Sequence, residues 1–125
     1  MRSGRTVVVL GVLAVLASHM WSAATAADAK NSYNIRGVGI ATCAKYLEAR
    51  NLKKNTDAYI DWMTGFLTAY NWMKPDTFEI APHYDPPQLS KYLDLYCGKS
   101  PKALINTAAI EFVGVMYPKR QKVRK

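Results

Sequence analysis

Residues 56–71 read TDAYIDWMTGFLTAYN. At about 100° per residue, Asp57, Asp61, Thr64, Thr68 and Asn71 fall at about 0°, 40°, −20°, 20° and −40°, a single polar stripe about 80° wide. Tyr59, Ile60, Trp62, Met63, Phe66, Leu67, Ala69 and Tyr70 fill the remaining arc. A helix apolar round most of its circumference belongs at the centre of a small bundle, so an all-α fold built on this segment is expected. Core packing accounts for each of these side chains taken singly. Gly65 sits mid-helix, where it costs about 1 kcal/mol relative to Ala; a neighbouring backbone passing close by would explain it.

Working outward, Thr42 can cap a helix running through CAKYLEAR to Asn51, with Cys43, Tyr46, Leu47 and Arg50 on one face. The loop LKKNT leads into the central helix, with Asn55 or Thr56 as its cap. Downstream, WMKPDTFEIAPHYDPP (residues 72–87) holds four prolines and no sustained period, which predicts a long ordered loop or a pair of extended segments. Asp85 before Pro86-Pro87, with Gln88 three residues on, marks the next helix start. Leu89, Tyr92, Leu93 and Tyr96 form its apolar stripe, and Gly98 is placed to end it. Ser100-Pro101 then opens a final helix, KALINTAAIEFVGVMY, with Leu104, Ile105, Ala108, Phe112, Val115 and Met116 facing inward and Pro118 as its stop. These signals predict a small bundle of four helices.

Arg2 and Arg5 precede the apolar run TVVVLGVLAVLA and a small-residue stretch ending Ala24-Thr25-Ala26, the order of a cleavable secretory signal. Residues 1–26 are read as that signal, 27–41 as a flexible lead-in, 42–118 as the helical domain and 119–125 as a basic tail. The competing reading is an uncleaved anchor, since Thr6 to Ala27 is long enough to cross a bilayer of about 30 Å. Of 17 Lys and Arg, Arg2 and Arg5 fall in the leader, leaving fifteen against 9 Asp and Glu; five of those fifteen lie in the last seven residues, KRQKVRK. The domain body is therefore close to neutral, and the basic character belongs to the tail. In a secreted protein such a tail serves solubility or attraction to anionic lipid heads rather than nucleic-acid binding.

A secreted chain with two cysteines, one opening the first helix and one closing the third, most simply holds a disulfide between Cys43 and Cys97. The chain-entropy account assigns a loop of this length about 4 kcal/mol, comparable to the whole net stability of so small a domain. Two free thiols or a metal site are the alternatives. C-x-x-C is absent, and His83 is the sole histidine after the leader, so a closed zinc set would have to borrow carboxylates.

No Gly-rich phosphate loop, G-x-S-x-G turn or H-E-x-x-H pair occurs. Asp57 and Asp61 lie one turn apart and could pair as acid and base, but their place on the polar stripe gives them to solvent. Neither enzyme activity nor a cofactor is expected. Trp72 and Met73, just past the central helix, are either a recognition surface or the lid of the core.

Three landmarks carry a family resemblance: Thr42-Cys43-x-x-Tyr46-Leu47, Gly65-Phe66-x-x-Ala69-x-Asn71, and Cys97 before a final amphipathic helix. In these the chain resembles the periplasmic acid-stress chaperones of the HdeA and HdeB type, over Thr42 to about Val113. The resemblance implies a periplasmic, all-α, disulfide-linked protein, a small four-helix orthogonal bundle that dimerises near neutral pH. In strong acid such proteins dissociate, loosen and hold denatured periplasmic proteins. It points to Tyr59, Trp62, Met63, Phe66, Leu67, Tyr70 and Trp72 as client- or partner-binding candidates. A second, looser similarity, over Tyr92-Leu93-x-x-Tyr96 to Pro101 and Ala108-Ala109, is to small periplasmic immunity proteins that neutralise a specific toxin; their usual extra cysteines are absent here.

Overall fold

The computed structural model describes residues 27–124, so the expected signal peptide lies outside the described residues. The fold is all-helical: a single 3-10 turn over Gly37–Ile40, then α1 (Cys43–Leu52), α2 (Thr56–Met73), α3 (Pro86–Lys99) and α4 (Ile105–Met116), closed by a 3-10 turn over Tyr117–Lys119. Among the described residues, those from Asn34 onward form one compact unit. In the preceding segment, the Asp28 carboxylate accepts bonds from the Lys30 and Ser32 N–H groups, closing a local turn.

Each helix start has a chemical cause. Thr42 is extended and its Oγ1 accepts the Lys45 N–H at 3.4 Å. Asp85 and Gln88 form a reciprocal capping box ahead of α3, with both bonds at 3.1 Å and proline in the first turn. Lys53, at φ 52°, ends α1 in a left-handed cap. Asn55, also left-handed at φ 56°, opens α2 by backbone conformation alone, without a side-chain bond.

The last helix begins later than expected. Cys43 N and Ala44 N, two N–H groups that α1 cannot satisfy internally, donate to Ala103 O and Pro101 O at 2.8 Å, while Ile105 N donates to Ala41 O at 3.0 Å. Residues 101–104 are thus held as irregular backbone across the start of α1, and α4 starts at Ile105 rather than at Ser100-Pro101. Its buried face also differs. Val115 is exposed, and Ala109 and Val113 are buried with Ile105, Ala108, Phe112 and Met116.

α4, not α2, is the most enclosed helix. α2 buries Tyr59, Ile60, Met63 and Leu67, half-covers Trp62, Phe66 and Tyr70, and leaves Ala58, Gly65 and Ala69 exposed. Gly65 has nothing within 4 Å of the place a Cβ would take, so the expected close-passing backbone is not there. The close approach falls instead at Gly39, where a Cβ would lie 2.1 Å from the Trp62 ring.

The disulfide joins Cys43 to Cys97 across a sequence separation of 54, with Cα atoms 4.8 Å apart and both residues fully buried. It fixes α1 and α3 side by side and antiparallel. Between α2 and α3, Asn71 Oδ1 accepts the Ile80 N–H at 2.7 Å and pins the proline-rich loop, which buries Ile80 in the core. The basic C-terminus is no free tail at its root. Gln121 pairs antiparallel with Glu79, its N–H donating to Glu79 O at 2.8 Å and its carbonyl accepting the Phe78 and Glu79 N–H groups.

Candidate functional site

The α1–α3 seam continues from the disulfide into a polar cluster. One turn along α1 from Cys43, the Tyr46 hydroxyl donates to Asp94 Oδ1 at 2.7 Å. One turn further, Arg50 grips the same carboxylate with both prongs, Nε to Oδ1 at 2.8 Å and Nη2 to Oδ2 at 2.6 Å. Asp94 therefore ties together two residues of the facing helix in a bidentate, charge-assisted contact.

Partial burial works to raise the Asp94 pKa. The hydrogen bonds from Arg50 and Tyr46, with the guanidinium charge, outweigh it and hold the carboxyl below its ordinary value. Burial first, and then the bond to Asp94, pushes the Tyr46 phenol up to about 12, against an opposing bond with Ser90. The pair is open to protons: Arg50 and Asp94 line a cavity with Leu47, Asn51, Lys53 and Thr56. On its other side, Arg50 shares a second cavity with Asp57, Asp61 and Ser90.

Behind this seam lies the aromatic face of α2. Tyr59 packs edge-on against Tyr46, ring centroids 5.2 Å apart, so the latch and the core share a side chain. Trp62 stacks on Phe66 at 5.6 Å. It is covered by the Gly37–Ile40 turn, whose preceding carbonyl, Arg36 O, accepts the indole N–H at 2.8 Å. This turn lies within the segment expected to be a flexible lead-in; Gly37 at φ +63° and Gly39 allow the backbone to lie flat on the indole.

The structure thus brings six of the seven client-binding candidates to one contiguous face. Tyr59, Met63 and Leu67 are buried within it, and Trp62, Phe66 and Tyr70 are half-covered at its edge. Trp72 lies off that face and in solvent. Tyr46, Arg50 and Asp94 went unnoticed as a unit in the sequence. Antiparallel pairing about the Cys43–Cys97 bond places Tyr46 opposite Asp94, and that register was the signal available.

A second polar link joins α3 to α4. Tyr92 donates to Ala108 O at 2.9 Å with its ring 4.7 Å from Phe112, and Tyr96 donates to Glu111 Oε1 at 2.9 Å. Burial, followed by the Glu111 bond, raises the Tyr96 pKa. Among the described residues no helix is long and apolar enough to cross a membrane, and no group of three His, Cys, Asp or Glu is placed to hold a metal ion. Comparison with protein-family models, curated proteins and solved structures finds no match to this chain.

Proposed function

We propose that this protein is a periplasmic holdase of the HdeA kind, with its four helices in that family's orthogonal arrangement. Acid opens it, and the aromatic face of α2 then binds denatured clients. The observation that supports this reading is an acid-labile contact, Arg50–Asp94–Tyr46, whose Tyr46 ring packs on Tyr59 of the aromatic face of α2 and which shares the α1–α3 seam with a bond that acid does not break.

The sign of the pH effect follows from Asp94. Its folded pKa lies below its ordinary value, so its contribution is present above the unfolded pKa of about 4 and is lost as pH falls through the folded value. Fifteen Lys and Arg after the leader keep their charge in strong acid, and their self-repulsion favours expansion. The Cys43–Cys97 bond limits that expansion to a compact, partly helical state. Tyr59, Trp62, Met63, Phe66, Leu67 and Tyr70 then offer aromatic and adaptable apolar contacts. Near neutral pH the protein is a dimer on this reading, and acid separates it.

Light scattering of an acid-denatured client provides the test. Stoichiometric amounts of the oxidised protein suppress aggregation at pH 2 and have little effect at pH 7. Failure to suppress at pH 2 overturns the holdase reading and directs attention to a single specific partner, sought by pull-down.

A further inference from the structure

We propose that the C-terminal strap and the adjoining end of α2 form a docking surface for anionic phospholipid membranes. The proposal is independent of the holdase reading. It starts from the finding that residues 119–123 are fixed in place rather than trailing. The Arg120 guanidinium lies 3.8 Å from the centre of the Tyr117 ring. Its Nε and Nη1 donate to Asp76 O at 3.0 Å and Tyr117 O at 2.8 Å. Gln121 adds the backbone pairing with Phe78 and Glu79, and its side-chain amide donates to Val123 O at 2.7 Å. Lys74, at the end of α2, reaches the same Tyr117 ring at 5.1 Å.

Arg120 is consumed as the fastener, and the cations it positions, Lys119, Lys122 and Arg124, are exposed. Two acids lie nearby. They are Asp76, whose backbone carbonyl accepts from Arg120, and Glu79, whose Oε1 accepts the Ala81 N–H at 3.0 Å; against them stand Lys74, Lys119, Arg120, Lys122 and Arg124. The balance of charge at this end of the molecule remains positive. The segments joined by these contacts expose large apolar side chains, Phe78 at 46 % and Val123 at 71 % in the paired backbone segments and Trp72 at 85 % and Met73 at 64 % in the last turn of α2, just before Lys74.

This pairing selects the partner. Nucleic acid or an acidic protein would satisfy the cations but leaves Met73, Phe78 and Val123 in water. A lipid surface offers phosphates to the lysines and an acyl boundary to the apolar groups, and Trp sits well at that boundary because it is apolar with one polar edge. Each Lys or Arg near an anionic leaflet strengthens attachment severalfold.

The test uses oxidised protein recovered from a secreting host and vesicles of phosphatidylcholine with or without an equal share of phosphatidylglycerol. The protein binds the mixed vesicles with a blue shift in tryptophan emission and ignores pure phosphatidylcholine. The triple substitution Lys119→Gln, Lys122→Gln, Arg124→Gln weakens binding by about a hundredfold. Trp72→Ala, at an exposed position, abolishes most of the blue shift and keeps the salt dependence. Equal binding to both vesicles, indifference to the triple substitution, or a Trp72-independent preference for polyphosphate or an acidic protein over vesicles overturns the proposal.

Discussion

Arg50 and Asp94 meet across the α1–α3 seam through two parallel hydrogen bonds, at 2.8 and 2.6 Å, with the Tyr46 hydroxyl completing the carboxylate's shell at 2.7 Å. The side chains are 41 % and 36 % exposed, so the ion pair by itself stabilises the fold only modestly. Its position gives it leverage: it fixes Tyr46, which packs on Tyr59 of α2, and it lies beside an open cavity.

Replacing Asp94 with Asn tests that leverage. The variant is expected to lose about 1–2 kcal/mol at pH 7, because Arg50 and Tyr46 each lose a charged acceptor. Since wild-type Asp94 stabilises above its unfolded pKa and ceases to do so as pH falls through its lowered folded value, urea unfolding midpoints of the two proteins draw together as pH falls from about 7 towards about 4 and below. A gap that does not narrow with acid contradicts the assignment.

Tyr46→Phe removes the hydroxyl and leaves the ring. At neutral pH the loss is about 1 kcal/mol. In base the sign reverses. With its pKa raised to about 12, Tyr46 contributes stability that is full below its unfolded value near 10 and is lost as pH rises through the folded value. Alkaline unfolding monitored by circular dichroism is therefore shallower for the variant over that range.

The two glycines that face opposite situations give opposite results. Gly39→Ala drives a Cβ into the Trp62 ring, lifts the Gly37–Ile40 turn and costs about 1–3 kcal/mol. Emission from Trp62 moves to the red. Gly65→Ala meets open space on an exposed helix face and stabilises by about 0.5–1 kcal/mol. Thermal melts of the two single variants decide the matter.

Reducing the Cys43–Cys97 bond, or replacing both residues with Ala, removes a crosslink over 54 residues, worth about 4 kcal/mol in the chain-entropy account. The expected result at pH 7 is a sharp fall in the urea midpoint. In acid, size-exclusion chromatography shows the reduced chain expanding well beyond the oxidised one.

Much of this architecture was legible in the residues. Thr42 and the Asp85-Pro86-Pro87-Gln88 run announce helix starts through local chemistry, and two cysteines at helix ends announce their bond. What escaped depends on tertiary contact. The Gly37–Ile40 turn is too short to show a period and exists because Trp62 supplies a platform. The start of α4 is displaced because α1 takes the carbonyls of Pro101 and Ala103. Val115 falls just beyond the edge of the buried face of α4, and pattern alone does not mark that edge. The C-terminal basic run gave no hint that Gln121 pairs with Glu79. For the site, the aromatic face of α2 was visible, whereas Arg50–Asp94 required knowing the α1–α3 register.

The central claim is that acid uncovers the aromatic face of α2 in a chain still held by its disulfide. The direct measurement follows an apolar dye together with near- and far-ultraviolet circular dichroism on the oxidised protein from pH 7 to 2. The account predicts that dye emission rises and the near-ultraviolet signal collapses below about pH 4, with much of the helical signal retained. A protein that stays dye-silent at pH 2 with its near-ultraviolet spectrum intact contradicts it.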